Sequence, residues 1–251
     1  MKLIFLAAGK GKRIYKKIKK NKCLIEINGK TLIENLVNEV KKTKIKHIAI
    51  VTGFKANKIR KSLYKHKKIK FIHNKNYDKK EMLYSLIVGL KKFDTNLIFA
   101  YTDILFTSKI INKIIEKNSK NLTLPIFSNW KNVWKIRNKD PYKDAESLYV
   151  NKSMKLSSIG EKIKKVNEVK YQFMGIIYIP RSQRNKILNY YEKIKHIKKL
   201  HVTNFLNLLL KNKFTIDCIK TDEKWYEFDD YSDYLNYKKY FSVHKSSQLN
   251  Y

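Results

Sequence analysis

The start of the chain constrains its fold more than any other stretch. Leu3 to Ala8 is an uninterrupted apolar run that breaks directly into Gly9-Lys10-Gly11-Lys12-Arg13. A short apolar run closed by a turn signal predicts a strand buried on both faces, so the rest of the chain must supply two covering layers. Glycines let backbone N–H groups approach an anion, and Lys10, Lys12 and Arg13 add positive charge at the same place. A polyphosphate loop and a purely structural turn both fit these residues. Two common phosphate signatures are excluded. No Gly-Lys-Ser/Thr follows a four-residue gap, and Ile14 stands where a dinucleotide fingerprint has its third glycine.

Downstream, Leu32, Ile33, Leu36, Val37 and Val40 recur at spacings of three and four, predicting a helix over 31–43. A β-branched strand at 47–51, a basic helix at about 55–64 and a strand at 70–73 continue the alternation. A helix over 81–92 leads into a strand at 96–101 that stops at Thr102-Asp103. This rhythm predicts an α/β fold, Rossmann-like, with a mixed, mostly parallel sheet and helices on both faces. Ligands of such sheets sit beyond the carboxyl ends of strands, which puts Asp103 where chemistry occurs, although aspartate also starts turns. Residues 128–150 read as a polar, aromatic insertion over the sheet edge. Trp130 and Trp134 are four apart and Asp144 and Glu146 two apart; the tryptophans suit either packing anchors of a strand pair or a pocket for a cationic group. Further strands are expected at 154–160 and 171–179, and helices at 181–194 and 203–210, with Thr203 as a cap.

The last constellation is Trp225-Tyr226-Glu227-Phe228-Asp229-Asp230. In a strand, Glu227 and Asp229 point to one face. Two such carboxylates repel unless a cation or protons lie between them, or unless each pairs with one of the abundant lysines.

The 251 residues are expected to form a single domain, 1–251, since 7 Gly, 3 Pro and no Ser- or Pro-rich stretch leave no linker. No apolar run approaches the roughly 20 residues of a membrane span, so no membrane insertion and a cytoplasmic location are expected. Cys23 and Cys218 have neither metal nor disulfide-scaffold spacing. The net charge of +35 ordinarily points to a polyanion partner. Here the lysines are scattered over the whole chain, including 41–46, 58–70 and 193–199, and accompany a surplus of Asn, Ile, Tyr and Phe, the signature of A/T-rich codons. No specific nucleic-acid partner is expected. A polyanion-binding basic protein remains the non-enzymatic alternative, but it leaves the strand-end acids unexplained.

Leu6-Ala7-Ala8-Gly9-Lys10-Gly11-Lys12-Arg13, followed by Lys22-Cys23-Leu24 and Gly29-Lys30-Thr31-Leu32-Ile33-Glu34, resembles the amino-terminal signature of the nucleotidyltransferase superfamily, LAAGxGxR then PKxLxxxxGKPLxE. Asn21 and Thr31 replace its two prolines. The segment ending in Asp103 resembles the family's strand-Gly-Asp motif, with Thr102 for glycine, and Trp225 to Asp229 resembles the W-x-E-x-D ending of its cytidylyltransferase branch. The resemblance implies nucleotide binding by Leu6, Ala7, Ala8, Gly9, Gly11, Lys12, Arg13, Ser85 and Asp103, catalysis by Arg13 and Lys22, and Mg²⁺ on Asp103, Glu227 and Asp229. For Ser85 a structural helix position is the equal alternative. It implies CTP as one substrate and a phosphorylated small polar molecule as the other. Phosphoglutamine for capsular phosphoramidate synthesis is the expected acceptor, with phosphocholine or a sugar 1-phosphate as alternatives. The insertion would then lie over the active site.

Overall fold

The structure is a computed structural model that describes residues 1–79, 81–137, 141–142, 145–161, 163, 169–197 and 199–243. The first half of the chain runs β1 (Lys2–Ala7), α1 (Lys12–Ile18), a 3₁₀ turn (Lys22–Leu24), β2 (Glu26–Ile27), β3 (Lys30–Thr31), α2 (Leu32–Lys41), β4 (Ile48–Thr52), α3 (Ala56–Ser62), β5 (Lys70–His73) and α4 (Met82–Lys92). It continues with β6 (Leu97–Tyr101), β7 (Ile104–Phe106), α5 (Ser108–Lys117), β8 (Leu122–Phe127), α6 (Trp130–Arg137), β9 (Leu148–Val150) and β10 (Leu156–Ile159). The last elements are β11 (Gln172–Phe173), β12 (Ile176–Ile179), α7 (Arg181–Ile194), α8 (Val202–Lys211), β13 (Ile216–Thr221), β14 (Trp225–Glu227) and α9 (Tyr231–Val243).

An eight-stranded mixed sheet forms the centre. β1 lies between β4 and β6, parallel to both, and β5 extends this parallel set beyond β4. β12 runs antiparallel between β6 and β8, and β13 lies parallel to β8 along its other edge. β11 continues along β8 beside β12. The two are separated by Gly175 at φ 70°, where the strand expected over 171–179 breaks.

Period-two alternation along β1 divides the core. Leu3, Phe5 and Ala7 face one apolar cluster with α2, α3, α5 and α6; Ile4, Leu6 and Ala8 face another with α4, α7 and α8. Both faces are covered by helices, as the apolar run requires. The α2 residues Leu36, Val37 and Val40 are fully buried, each worth about 1.5–3 kcal/mol by its apolar area. The helix starts at a capping box: Thr31 Oγ1 accepts from the Glu34 N–H while the Glu34 carboxylate accepts from the Thr31 N–H. Thr31, where the resembled signature has a proline, thus caps the helix with its side chain. One expected cap is corrected. α8 begins at Val202 after His201, so Thr203 lies inside the helix and packs against the face of Gly160. Among the described residues no helix is long and apolar enough to cross a membrane.

Candidate active site

The carboxyl ends of β1 and β6 and the short β7/β14 pair enclose the site. After Ala7 the chain turns through Gly9 and Gly11 into α1. Gly11 sits at φ 57°, and a Cβ there would lie 3.0 Å from the Cβ of Lys22. The glycine thus meets two demands, a left-handed backbone and close approach of the lysine. A third apolar cluster, Ile14, Ile25, Ile27, Leu32, Tyr226 and Phe228, ties α1 and β2 to the end of β14. Burial of these six side chains brings Arg13 and Lys22 to acids some 200 positions later.

The acids are joined through the backbone as well. Glu227 is in register with Ile104, and the Phe228 N–H donates to the Asp103 carbonyl at 2.8 Å. β14 stops at Glu227, so Asp229 lies past the strand, and period-two alternation is not what aligns the two acids. They meet instead at Arg137. Its guanidinium donates to Glu227 Oε2 at 3.3 Å, to Asp229 Oδ2 at 3.1 Å and to both carboxylate oxygens of Asp233 at 3.0 and 3.2 Å. Its side chain is 1% exposed and lies over the Trp134 ring, 4.6 Å from the centroid.

Lys22 occupies the other side of the acid group. Its Nζ donates to Asp103 Oδ2 at 2.9 Å and lies 3.5 Å from Asp229 Oδ1, with only 16% of the side chain exposed. Arg13, largely exposed, reaches within 3.8 Å of Asp229 Oδ1. Burial works against the Lys22 ammonium, but Asp103 and Asp229 outweigh it and raise its pKa above the ordinary lysine value. Burial together with the Asp229 charge pushes Glu227 well above the usual carboxylate range, although Arg137 opposes the rise. Burial acts on Asp229 too, yet Lys22, Arg137 and Arg13 hold it below its ordinary value.

Beside this group, a cleft of about 330 Å³ is lined by Leu6, Ala8, Gly9, Lys10, Gly11, Lys12, Tyr77, Met82 and Ser85, among others. It gathers most of the residues expected to hold a nucleotide. Ala7 is buried under the sheet end on the opposite face of β1. Ser85 lies on α4 and its Oγ accepts from the Asn74 side-chain amide at 2.9 Å. Thr102, in place of the family's glycine, donates from Oγ1 to the Leu6 carbonyl at 3.1 Å and so ties the end of β6 to the start of the loop. Asn21, in place of proline, donates to the Phe54 carbonyl at 2.8 Å.

Trp130 and Trp134 are packing anchors, on a helix and not on the expected strand pair. Trp130 meets Trp134 edge-on, and Trp134 stacks on Trp225 with ring centroids 5.4 Å apart. All three rings are buried. Glu146 is exposed, and Asp144 lies outside the described residues. The sequence reading gave Arg137 no role of its own, because it is one basic residue among 56; only its position three residues after Trp134, on the same helix face, sets it apart.

Among the described residues no three His, Cys, Asp or Glu side chains gather as metal ligands. The donor set nevertheless fits a hard divalent cation. Such ions take one or two carboxylates and complete their shell with water and substrate phosphates. Asp103 and Asp229 converge on one point, and Asp103 Oδ1 is buried with no hydrogen-bond partner.

Residues 3–149 match the family described as the MobA-like NTP transferase domain. A CTP:phosphoglutamine cytidylyltransferase from Campylobacter jejuni is 26% identical over 248 residues, covering 93% of this chain and 97% of that protein. Two solved structures share the fold. The inositol-1-phosphate CTP transferase of T. maritima superposes with a TM-score of 0.79 at 17% identity, covering 100% of this chain and 98% of the other. The CTP:phosphocholine cytidylyltransferase of Streptococcus pneumoniae gives 0.71 at 18% identity, covering 96% and 98%.

Proposed function

The chain belongs to the MobA-like NTP transferase domain family, and from that premise we propose that it is a Mg²⁺-dependent cytidylyltransferase joining CTP to a phosphorylated small polar molecule, phosphoglutamine in the first instance. The observation that carries the reading is the meeting of Lys22, Asp103 and Asp229 beside the cleft walled by Gly9 to Lys12. Near full-length similarity to an enzyme acting on phosphoglutamine supports the acceptor. On this reading the protein works in the cytoplasm, where CTP is available, and serves capsule synthesis.

In the proposed reaction an oxygen of the acceptor phosphate attacks the α-phosphorus of CTP, the bond to the β-phosphate oxygen breaks, and pyrophosphate leaves. The cytosine and ribose lie in the cleft against Leu6, Ala8 and Ser85, with the triphosphate over Gly9 to Arg13. Arg13 and Lys22 hold phosphate oxygens in line and offset the charge that develops on the leaving group. Asp103 and Asp229 are the residues that would hold Mg²⁺, which would supply charge neutralisation at the triphosphate. Glu227 is engaged by Arg137 and acts from behind this pair.

The test is pyrophosphate release measured with each of the four triphosphates against phosphorylated amino acids, amino alcohols and sugars. Turnover is expected with CTP and phosphoglutamine, and its loss in excess EDTA. Faster turnover with UTP or dTTP and a sugar 1-phosphate would move the chain to the sugar branch, and full activity in EDTA would end the metal reading.

A further inference from the structure

The position proposed for a divalent cation already holds a cation, the Lys22 ammonium. It bridges Asp103 Oδ2 at 2.9 Å and Asp229 Oδ1 at 3.5 Å, and the three side chains are 16%, 15% and 23% exposed. Arg137 takes the other Asp229 oxygen, at 3.1 Å. A divalent ion entering this arrangement would sit against an ammonium in a largely desolvated space, where like charges repel strongly. To hold both aspartates, the ion must displace Lys22.

The structure also provides a destination for the displaced ammonium. Lys22 packs against Gly11, at the wall of the cleft proposed for the triphosphate. The 3₁₀ turn is anchored by buried Cys23 and Leu24, so its backbone is fixed, while the lysine stem is a flexible four-carbon chain ending in a point charge. An anion over Gly9 to Lys12 offers the ammonium a second set of oxygens within the sweep of that stem. Moving there uncovers two carboxylates as the phosphates arrive, and the local charge stays balanced throughout.

We propose that Lys22 is an internal counter-ion that keeps the Asp103–Asp229 pair closed to divalent cations until a triphosphate draws its ammonium away, so that metal and nucleotide enter the site together. This rests on the nucleotidyl-transfer reading above. Lys22 then has two successive partners, the acid pair in the free protein and the phosphates in the loaded one. A lysine suits this exchange, whereas the forked guanidinium of Arg137 remains with its acids.

The experiment measures Mn²⁺ binding to the full-length protein by electron paramagnetic resonance, with no nucleotide present. Lys22→Met should bind Mn²⁺ at least tenfold more tightly than the wild type, although its turnover falls, and Lys22→Arg, which keeps the charge, should not. The gain should vanish in the Lys22→Met/Asp103→Asn double variant. Adding a non-hydrolysable CTP analogue should tighten binding in the wild type and narrow its difference from Lys22→Met. Thermal melts guard against a folding defect: Mn²⁺ should raise the melting temperature of Lys22→Met, and of Lys22→Gln as a second variant, well beyond any shift in the wild type. Equal or weaker Mn²⁺ binding by folded Lys22→Met overturns the proposal, as does a gain that survives Asp103→Asn. Absence of pyrophosphate release with every triphosphate would sink the functional reading while leaving the Mn²⁺ comparison to report on the acid pair.

Discussion

Burial decides what the two thiols can do. Cys23 lies in the 3₁₀ turn and Cys218 within β13, and burial pushes each thiol up to about 12. In the unfolded chain a thiol titrates near 8.5, so the unfolded state loses its protons first as pH rises. A pKa raised on folding gives a contribution that is intact below the unfolded value and lost progressively up to the folded one. Wild-type stability should therefore fall relative to Cys218→Ala by about 1–2 kcal/mol between pH 8 and pH 10, measured by urea denaturation of both proteins. An unchanged difference would mean that the thiol is not held protonated by the fold.

Single residues also show how departures from the family pattern are absorbed. Thr31 replaces a proline and closes a capping box, Thr102 replaces a glycine and bonds the Leu6 carbonyl, and Asn21 replaces a proline and bonds the Phe54 carbonyl. Each side chain bonds a backbone group, which a proline or glycine side chain could not do.

Among the elements, α6 links the core to the acids through only eight residues. Trp130 and Trp134 anchor it in the core, and Arg137 at its last position binds three acids that follow from β14 and open α9. Asp233 is the most enclosed of these, at 4% exposure, and it also accepts from the backbone N–H groups of Asp229 and Asp230. Arg137→Gln would remove the cation that Glu227 and Asp233 share, while Asp229 keeps Lys22 and Arg13. Breaking a buried pair by removing one partner typically costs about 3–5 kcal/mol, so a loss of roughly that size is expected in urea unfolding. A change below about 1 kcal/mol, the range of an exposed pair, would show that Arg137 is held by packing on Trp134 alone.

At the scale of the whole molecule, the +35 charge has a consequence apart from catalysis. Phosphate attraction needs no designed site, and releasing condensed counter-ions makes it steeply salt-dependent. The protein should be retained on immobilised duplex DNA at low salt and released as ionic strength rises, with no preference among sequences. Retention that persists in high salt, or that follows sequence, would revive the polyanion-binding alternative.

The sequence alone determined the elements whose patterns are local. Leu3 to Ala8 is a buried strand because every position is apolar, and α2 and α4 follow from apolar residues three and four apart, with ends within a residue or two of expectation. It also marked Asp103 at the end of an apolar strand and Glu227 with Asp229 two apart in an acid-poor chain, whereas Lys22 was marked only by the resemblance to the nucleotidyltransferase signature. Left unread were, among others, α1, whose seven residues resemble a basic loop, α5, β8, β13 and α9, and α6, whose tryptophans were expected in a strand pair or a pocket. Tertiary structure decided how the acids are balanced. The pairing of Lys22 with Asp103 across 81 positions, and of Arg137 with Glu227 across 90, depends on which strand ends the core brings together. Long-range electrostatics leaves no periodic trace in a chain with 56 basic residues, so it is folding that sets Lys22, Arg137 and Arg13 against these particular acids.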